Sequence, residues 1–275
     1  MKKIFVNTGV CIFCGKSAPE VKFEHRPHIL PKSMGGDVVG VDICDDCNSY
    51  FGNPDFLIPA PPRFAVEVCV KEVMNISRHF FLNQRNKKQK LKSLLFNYYE
   101  SKRTLVYKQR NWQTTKFQLF FARQFKRGIF EIFLQTYHNK TGNGLDSRFD
   151  NIRRFARYNE GDAKLFYIFN RGIYLIGDYM QHPVFPMTDS CIKEIEKYGF
   201  YTLHLNGHLF LLEVIAQSKE NRDAYIKMQY EEHHIGGFIY DNIQEVVYID
   251  QIDFTLRTLY GKTLDKIQKW TQDNT

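Results

Sequence analysis

Residues 11–52 read CIFCGKSAPEVKFEHRPHILPKSMGGDVVGVDICDDCNSYFG. The stretch opens on Cys11 and Cys14 and closes on Cys44 and Cys47, two Cys-x-x-Cys pairs that frame everything between them. Cys14-Gly15 supplies the tight turn that brings two thiolates to one side of the chain. Two such pairs meeting at one ion make a tetrahedral four-sulfur site, the usual arrangement of a structural zinc. A unit this short has too little apolar interior to hold itself, so metal binding contributes folding energy directly. An iron–sulfur centre and a pair of disulfides are the competing uses of four cysteines. No export-type apolar leader stands at the start, so a reducing intracellular compartment is expected and the disulfides are disfavoured. Cys69 and Cys191 stand alone and read as buried, small apolar side chains.

The residues between the pairs carry the candidate chemistry. They include Glu24-His25, then His28-Ile29-Leu30-Pro31, then Lys32-Ser33-Met34-Gly35-Gly36, and Asn48 directly follows the last cysteine. Residues 28–30 are a short apolar segment closed by Pro31, and Gly35-Gly36 breaks the chain. Val38 to Ile43 favours a strand, and residues 45–52 favour a short helix ending near Gly52. Two imidazoles, a carboxylate and an amide can hold one divalent cation and activate one water. Phosphodiester hydrolysis needs both a base of near-neutral pKa and a cation beside the scissile phosphate.

Taken together, CIFC, HILPKSMGG and CDDCNSYFG resemble the HNH endonuclease family, over about residues 11–52. The resemblance implies a zinc-braced ββα-metal finger. It implies that His28, in the H-I-x-P register, is the general base, and that Asn48 is a ligand of the catalytic cation. One departure is Pro27, which stands where the family usually has the acidic metal ligand. Glu24-His25 looks like that acidic–His pair displaced by three residues. Either His28 is the base and Glu24 or His25 reaches the cation, or His25 is the base and His28 the ligand. The middle Asn of some family members is also absent, with Val38 and Val39 in its neighbourhood; a backbone carbonyl is the expected substitute for orienting the base. Mg²⁺ or Mn²⁺ is the expected catalytic cation, and Zn²⁺ also suits such a site.

Beyond the finger, Pro54, Pro59, Pro61 and Pro62 mark a seam. It divides the chain into residues 1–57 and residues 63–275. The net charge is +8, and it is unevenly placed. From Arg78 to Arg127 there are 14 Lys or Arg and one acid, Glu100, while the flanking regions are net acidic. Such a block suits a polyanion. The spacing of Leu91, Leu94, Leu95, Tyr98 and Tyr99 predicts a helix over 84–103. Arg85, Lys87, Lys88, Lys90, Lys92, Lys102 and Arg103 are then expected phosphate contacts, together with Lys32 of the finger. A long helix is predicted over 116–138, with its basic residues away from the apolar side, and a shorter one over 149–158. Strands are predicted in 164–176, in 201–216 around the type I′ turn Asn206-Gly207, and in 237–249, with a closing helix over 260–271. The expected class is α+β, a zinc-braced finger followed by a helical and then antiparallel β region.

With 43% apolar residues, global disorder is excluded. No apolar run spans a membrane. The leading expectation is a metal-dependent DNA endonuclease acting in restriction, defence or a mobile element, in the cytoplasm of a prokaryotic cell or encoded by a phage. A non-catalytic zinc-dependent nucleic-acid-binding module and an RNase or toxin-like effector are the alternatives. Double-stranded DNA is the expected partner, and a homodimer remains open.

Overall fold

The computed structural model describes residues 5–54, 64–82, 92–99, 102, 104–108, 114–168, 187–233 and 243–254. Among them are six helices and six strands. In chain order these are α1 (Asp45–Gly52), α2 (Val66–Leu82), β1 (Phe96–Tyr99), β2 (Thr104–Tyr107), α3 (Thr115–Thr141), α4 (Asp150–Tyr158), β3 (Leu165–Ile168), α5 (Asp189–Tyr198), β4 (Phe200–Leu205), β5 (His208–Glu213), α6 (Lys219–His233) and β6 (Ile243–Glu245).

Helix α3 is the spine. The Thr114 hydroxyl caps it by accepting the Phe117 N–H, and Gly142 ends it in the left-handed conformation. Phe117, Phe121, Phe125, Ile129, Phe130, Phe133 and Tyr137 are all buried, as the apolar spacing predicts. The basic residues are not turned away as expected. Lys126 is buried and Arg127 fully so, as are Gln124, Glu131, Gln135 and His138. The reason is that α2, α4 and the finger cover α3 from several sides, and the polar groups find partners inside. Arg127 donates to Gln124 Oε1 (2.6 Å), to the Ala156 carbonyl (3.0 Å) and to the Tyr50 hydroxyl. Gln135 donates to Glu131 at 2.9 Å. Buried polar groups with partners of this kind cost little, whereas losing one partner is expensive.

Strands β3 to β6 form one antiparallel sheet in the order β4-β5-β3-β6. The β4–β5 turn is the predicted one: Asn206 and Gly207 have φ of 46° and 82°, as a type I′ turn requires. One face of the sheet meets α3, where Phe125 and Phe210 pack with ring centroids 5.5 Å apart. The other is covered by α6, where Tyr225 and Met228 close over Phe166, Ile168, Phe200, Leu209 and Leu211. The apolar core runs unbroken from Ile12, Phe13, Met34 and Phe51 of the finger, through α2 and α3, to Leu205 and Phe210 of the sheet.

Two local expectations are corrected. The described part of the helix predicted over 84–103 is a hairpin, in which β1 pairs antiparallel with β2. Aromatic and β-branched runs, Phe-Asn-Tyr-Tyr and Thr-Leu-Val-Tyr, favour extended backbone, and leucine and tyrosine spacing imitates a helix face over so short a window. The strand predicted over Val38 to Ile43 is reduced to a single antiparallel bridge, His28 with Val39. Its flanking bonds are Ile29 N–H to the Val38 carbonyl (3.2 Å) and Gly40 N–H to the Pro27 carbonyl (3.0 Å). Asp42, with φ at 57°, bends the chain out of strand geometry before the ladder can lengthen. The predicted helix over 260–271 lies outside the described residues.

Candidate metal and nuclease site

The finger is built on two turns. After Cys11 the chain reverses, with Gly15 N–H bonded to the Cys11 carbonyl and Cys11 N–H to the Lys16 carbonyl, both at 2.8 Å. Cys44 precedes the first turn of α1, which carries Cys47. The four sulfur atoms lie within 4.8 Å of one another, and Cys14 Sγ is 3.7 Å from Cys44 Sγ. Tetrahedral zinc, with Zn–S of about 2.3 Å, sets neighbouring sulfurs about 3.8 Å apart. The donor set therefore fits a thiophilic ion in both chemistry and spacing. A hydrogen bond from Cys47 lowers Cys11, while burial pushes Cys44 up. The bond to Cys11, with burial added, drives Cys47 upward too. One thiolate discourages its neighbours from ionising, and a dication at the centre reverses that. Arg157 of α4 sits behind the site, its Nε donating to Cys47 Sγ at 3.2 Å and its guanidinium 3.9 Å above the Tyr50 ring.

Besides the Arg127–Tyr50 bond, two polar contacts tie the finger to α3. Asp42 is wholly buried. It accepts the backbone N–H groups of Asn7 (2.9 Å), Thr8 (2.7 Å) and Gly9 (2.9 Å), the Thr8 hydroxyl (2.8 Å) and His138 Nε2 (2.9 Å). The Gly144 N–H donates to His138 Nδ1 at 3.0 Å, so Nε2 carries the proton that faces Asp42. Burial alone would raise the carboxyl, but the N–H groups of Thr8 and Asn7, then His138 and Gly9, outweigh it and hold the pKa at about 2. The second contact is Asn139. It donates to the Val39 carbonyl at 2.7 Å and accepts the Val41 N–H at 3.1 Å. Neither residue is marked in the sequence, because each acts across about a hundred positions.

The candidate catalytic residues lie on the bridge, on the stretch before it and on α1. His28 pairs with Val39 and is half-buried, and its Nδ1 is buried with no hydrogen-bond partner among the described residues. Desolvation, then the charges of Arg26 and Lys32, lower its pKa below the usual 6.5, against an opposing effect of Asp37. Behind it, Gly35 is left-handed (φ 84°), and a Cβ on Gly36 would stand 2.1 Å from the Leu30 carbonyl oxygen. The Gly-Gly pair is thus what lets the chain fold back on the His28 segment. His25 is on the surface, its side chain 76% exposed, with Nδ1 3.1 Å from Asp45 Oδ2. Asp45 also accepts the N–H groups of His25 (2.8 Å) and Glu24 (3.2 Å). Burial works to raise Asp45, and these bonds outweigh it and lower the carboxyl. Asn48 lies one turn further along α1, half-buried, its N–H bonded to the Cys44 carbonyl. Among the described residues, the four cysteines are the only group of three or more Cys, His, Asp or Glu side chains whose ligand atoms converge. Glu24, His25 and Asp45 adjoin one another along the finger without forming a second such group.

Of the expected phosphate contacts, Lys32, Lys92 and Lys102 are exposed. Arg85, Lys87, Lys88, Lys90 and Arg103 lie outside the described residues. The end of the basic block faces inward. Arg123 donates to Asn159 and to the Gly161 carbonyl, Lys126 pairs with Asp162 at 2.8 Å, and Arg127 is in the core.

The comparison with known families falls on this finger. Residues 11–54 match the HNH endonuclease family model. The matched stretch covers both cysteine pairs, His25, His28 and Asn48, and it ends with the first helix. The HNH segment is a minority of the chain, so nuclease-type character attaches to the finger. No characterised protein and no solved structure matches the chain. No helix among the described residues is long and apolar enough to cross a membrane.

Proposed function

We propose that this protein is a metal-dependent endonuclease hydrolysing DNA phosphodiester bonds, with His28 as general base and a structural zinc on Cys11, Cys14, Cys44 and Cys47. The observation that carries this reading is the match of residues 11–54 to the HNH family in a segment whose four thiols converge. His28 has the properties of a base: its lowered pKa keeps it neutral near pH 7, and the bridge to Val39 limits where its ring can lie. Asn139 stiffens the far side of that bridge, a task that the absent family Asn would otherwise share.

His25 suits the ligand role better than the base role. Asp45 beside Nδ1 favours the tautomer with its proton there, leaving Nε2 available, as in carboxylate–His–metal arrangements. With Asn48 and Glu24 it offers the nitrogen and oxygen donors that Mg²⁺ or Mn²⁺ accepts. When bound, the cation neutralises charge on the scissile phosphate and on the leaving oxygen. His28 removes a proton from the attacking water, and Lys32 contributes positive charge next to it. Roles in restriction, defence or mobile elements belong with such an activity.

Pro27 favours a second reading. It is buried, its carbonyl is used by Gly40, and it has no donor where the family usually places an acid. A finger lacking that ligand would serve as a non-catalytic nucleic-acid-binding module. The readings separate when pure, zinc-containing protein meets supercoiled plasmid, linear duplex and RNA, with Mg²⁺ or Mn²⁺ and then with excess EDTA. Cation-dependent nicking or linearisation of DNA is expected. Binding without cleavage under every cation supports the module, and cleavage confined to RNA supports the RNase alternative.

A further inference from the structure

The β1–β2 hairpin stands apart from the machinery described so far. It is a two-stranded sheet of its own, so each strand has one unpaired edge among the described residues. Its two faces differ in chemistry. Phe96 is buried against Phe254 with centroids 5.8 Å apart, and Tyr98 packs on the core. The base of the hairpin is fastened as well. Ser93 donates to Glu72 at 2.6 Å, Asn75 of α2 donates to the Lys92 carbonyl at 2.7 Å, and Lys108 Nζ donates to the Ser93 carbonyl at 2.6 Å. The other face carries Asn97, opposite Val106, and Tyr99, opposite Thr104. Asn97 is exposed and Tyr99 is 50% exposed. Thr104 turns its hydroxyl to the Lys102 carbonyl at 2.9 Å, and exposed Lys102 lies in the turn. A rigidly rooted ribbon therefore holds an amide and a phenol outward.

Charge complementarity identifies the occupant. Residues 83–116, which contain the ribbon, hold ten Lys or Arg and one Glu. The major groove of B-DNA, about 12 Å wide, admits a two-stranded ribbon. Asn97 and Tyr99 are two residues apart on one strand, about 7 Å along it. That is close to two base steps at about 3.4 Å each. An outward Asn amide presents the donor and acceptor that match adenine N6 and N7. We propose that the β1–β2 ribbon is the sequence-reading element of this protein, entering the major groove of duplex DNA with Asn97 and Tyr99 on base edges and Lys102 on the backbone. The inference rests on the nuclease reading only in taking DNA as the substrate; it assigns selectivity to a part of the chain outside the HNH match.

The test is selection from a duplex pool with a randomised 20-base-pair centre, without added divalent cation so that cleavage does not interfere. Wild type, the Asn97→Ala/Tyr99→Ala double variant and Lys102→Gln are compared. The substituted side chains face solvent, and the melting temperature and zinc content check that the fold is kept. Wild type is expected to enrich a motif. The double variant should lose preference at two or more positions by about tenfold, with melting temperature and zinc content at the wild-type values. Lys102→Gln should keep the motif and lower the slope of log K against log salt by about 0.9. The same motif from the double variant, or no motif from a wild type that binds the pool well, overturns the ribbon assignment alone. A wild type that does not retain duplex DNA removes the nuclease reading and the ribbon with it.

Discussion

Asp42 has five hydrogen-bond donors around one buried carboxylate, and it fastens the loop at 7–9, the second cysteine turn and α3 at a single point. Asp42→Asn replaces an acceptor oxygen by a donor facing other donors, and should destabilise the protein by about 2–4 kcal/mol in urea titration. The pH dependence follows from the carboxyl, held at about 2 when folded against 3.8 in the free side chain. A depressed acid stabilises above its unfolded pKa, so this contribution is complete above pH ~4 and is lost as pH falls towards ~2. The Asn variant should lack that part of the acid transition; an unchanged acid limb would show that the carboxylate does not carry it. As the proposed base, His28 sets a separate pH effect. A base must be neutral, so kcat/KM should rise as pH climbs through a pKa below 6.5. Arg26→Gln removes one of the charges that depress it, and should move that limb to higher pH.

Two of the seams at which the elements meet the finger can be loosened separately. At the α3 seam, Asn139→Ala removes both bonds to the Val39–Val41 backbone. Cleavage should fall by about tenfold or more in kcat, with KM and zinc content nearly unchanged, because a small misplacement of a base is costly. A proportional rise in KM would point to substrate binding instead. At the zinc seam, Cys44→Ser should lose the metal by elemental analysis and expose residues 10–52 to amide exchange. Arg157, which donates to Cys47, should carry that loosening into α4. Exchange confined to the finger would show that α4 is independent of it. Much of this level was readable beforehand. The cysteine pairs, α1, α3 and the Asn206-Gly207 hairpin are signals carried by residues close together in the chain. The β1–β2 hairpin was not readable, because four-residue strands carrying Leu and Tyr at spacings of three and four satisfy a helical template. The burial of Arg127 and Glu131 was hidden for a related reason: periodicity assigns charge to solvent, and only the packing of α2, α4 and Tyr50 around α3 shows otherwise. Asp45 behind His25 needed the turn of α1 to bring the two together.

At the scale of the molecule, the finger is held by the same core as the α+β remainder, from Ile12 and Phe51 through α3 to Phe210. The division of labour we propose follows from that. The finger carries the chemistry, the elements around α3 hold it rigid, and the basic region with its ribbon meets the substrate. The central claim is that His28, in a zinc-braced HNH segment, activates the water that cleaves DNA. It is tested most directly by single-turnover cleavage of supercoiled plasmid in Mg²⁺ or Mn²⁺ by wild type, His28→Ala and His25→Ala, each with zinc content and melting temperature measured. The account predicts that His28→Ala loses at least about 100-fold in rate with zinc and stability retained. It predicts that His25→Ala is impaired mainly in its cation requirement, with partial recovery at higher Mn²⁺. Full activity in His28→Ala would contradict the account, and a His25→Ala protein that no cation concentration restores, beside an active His28→Ala, would transfer the base to His25.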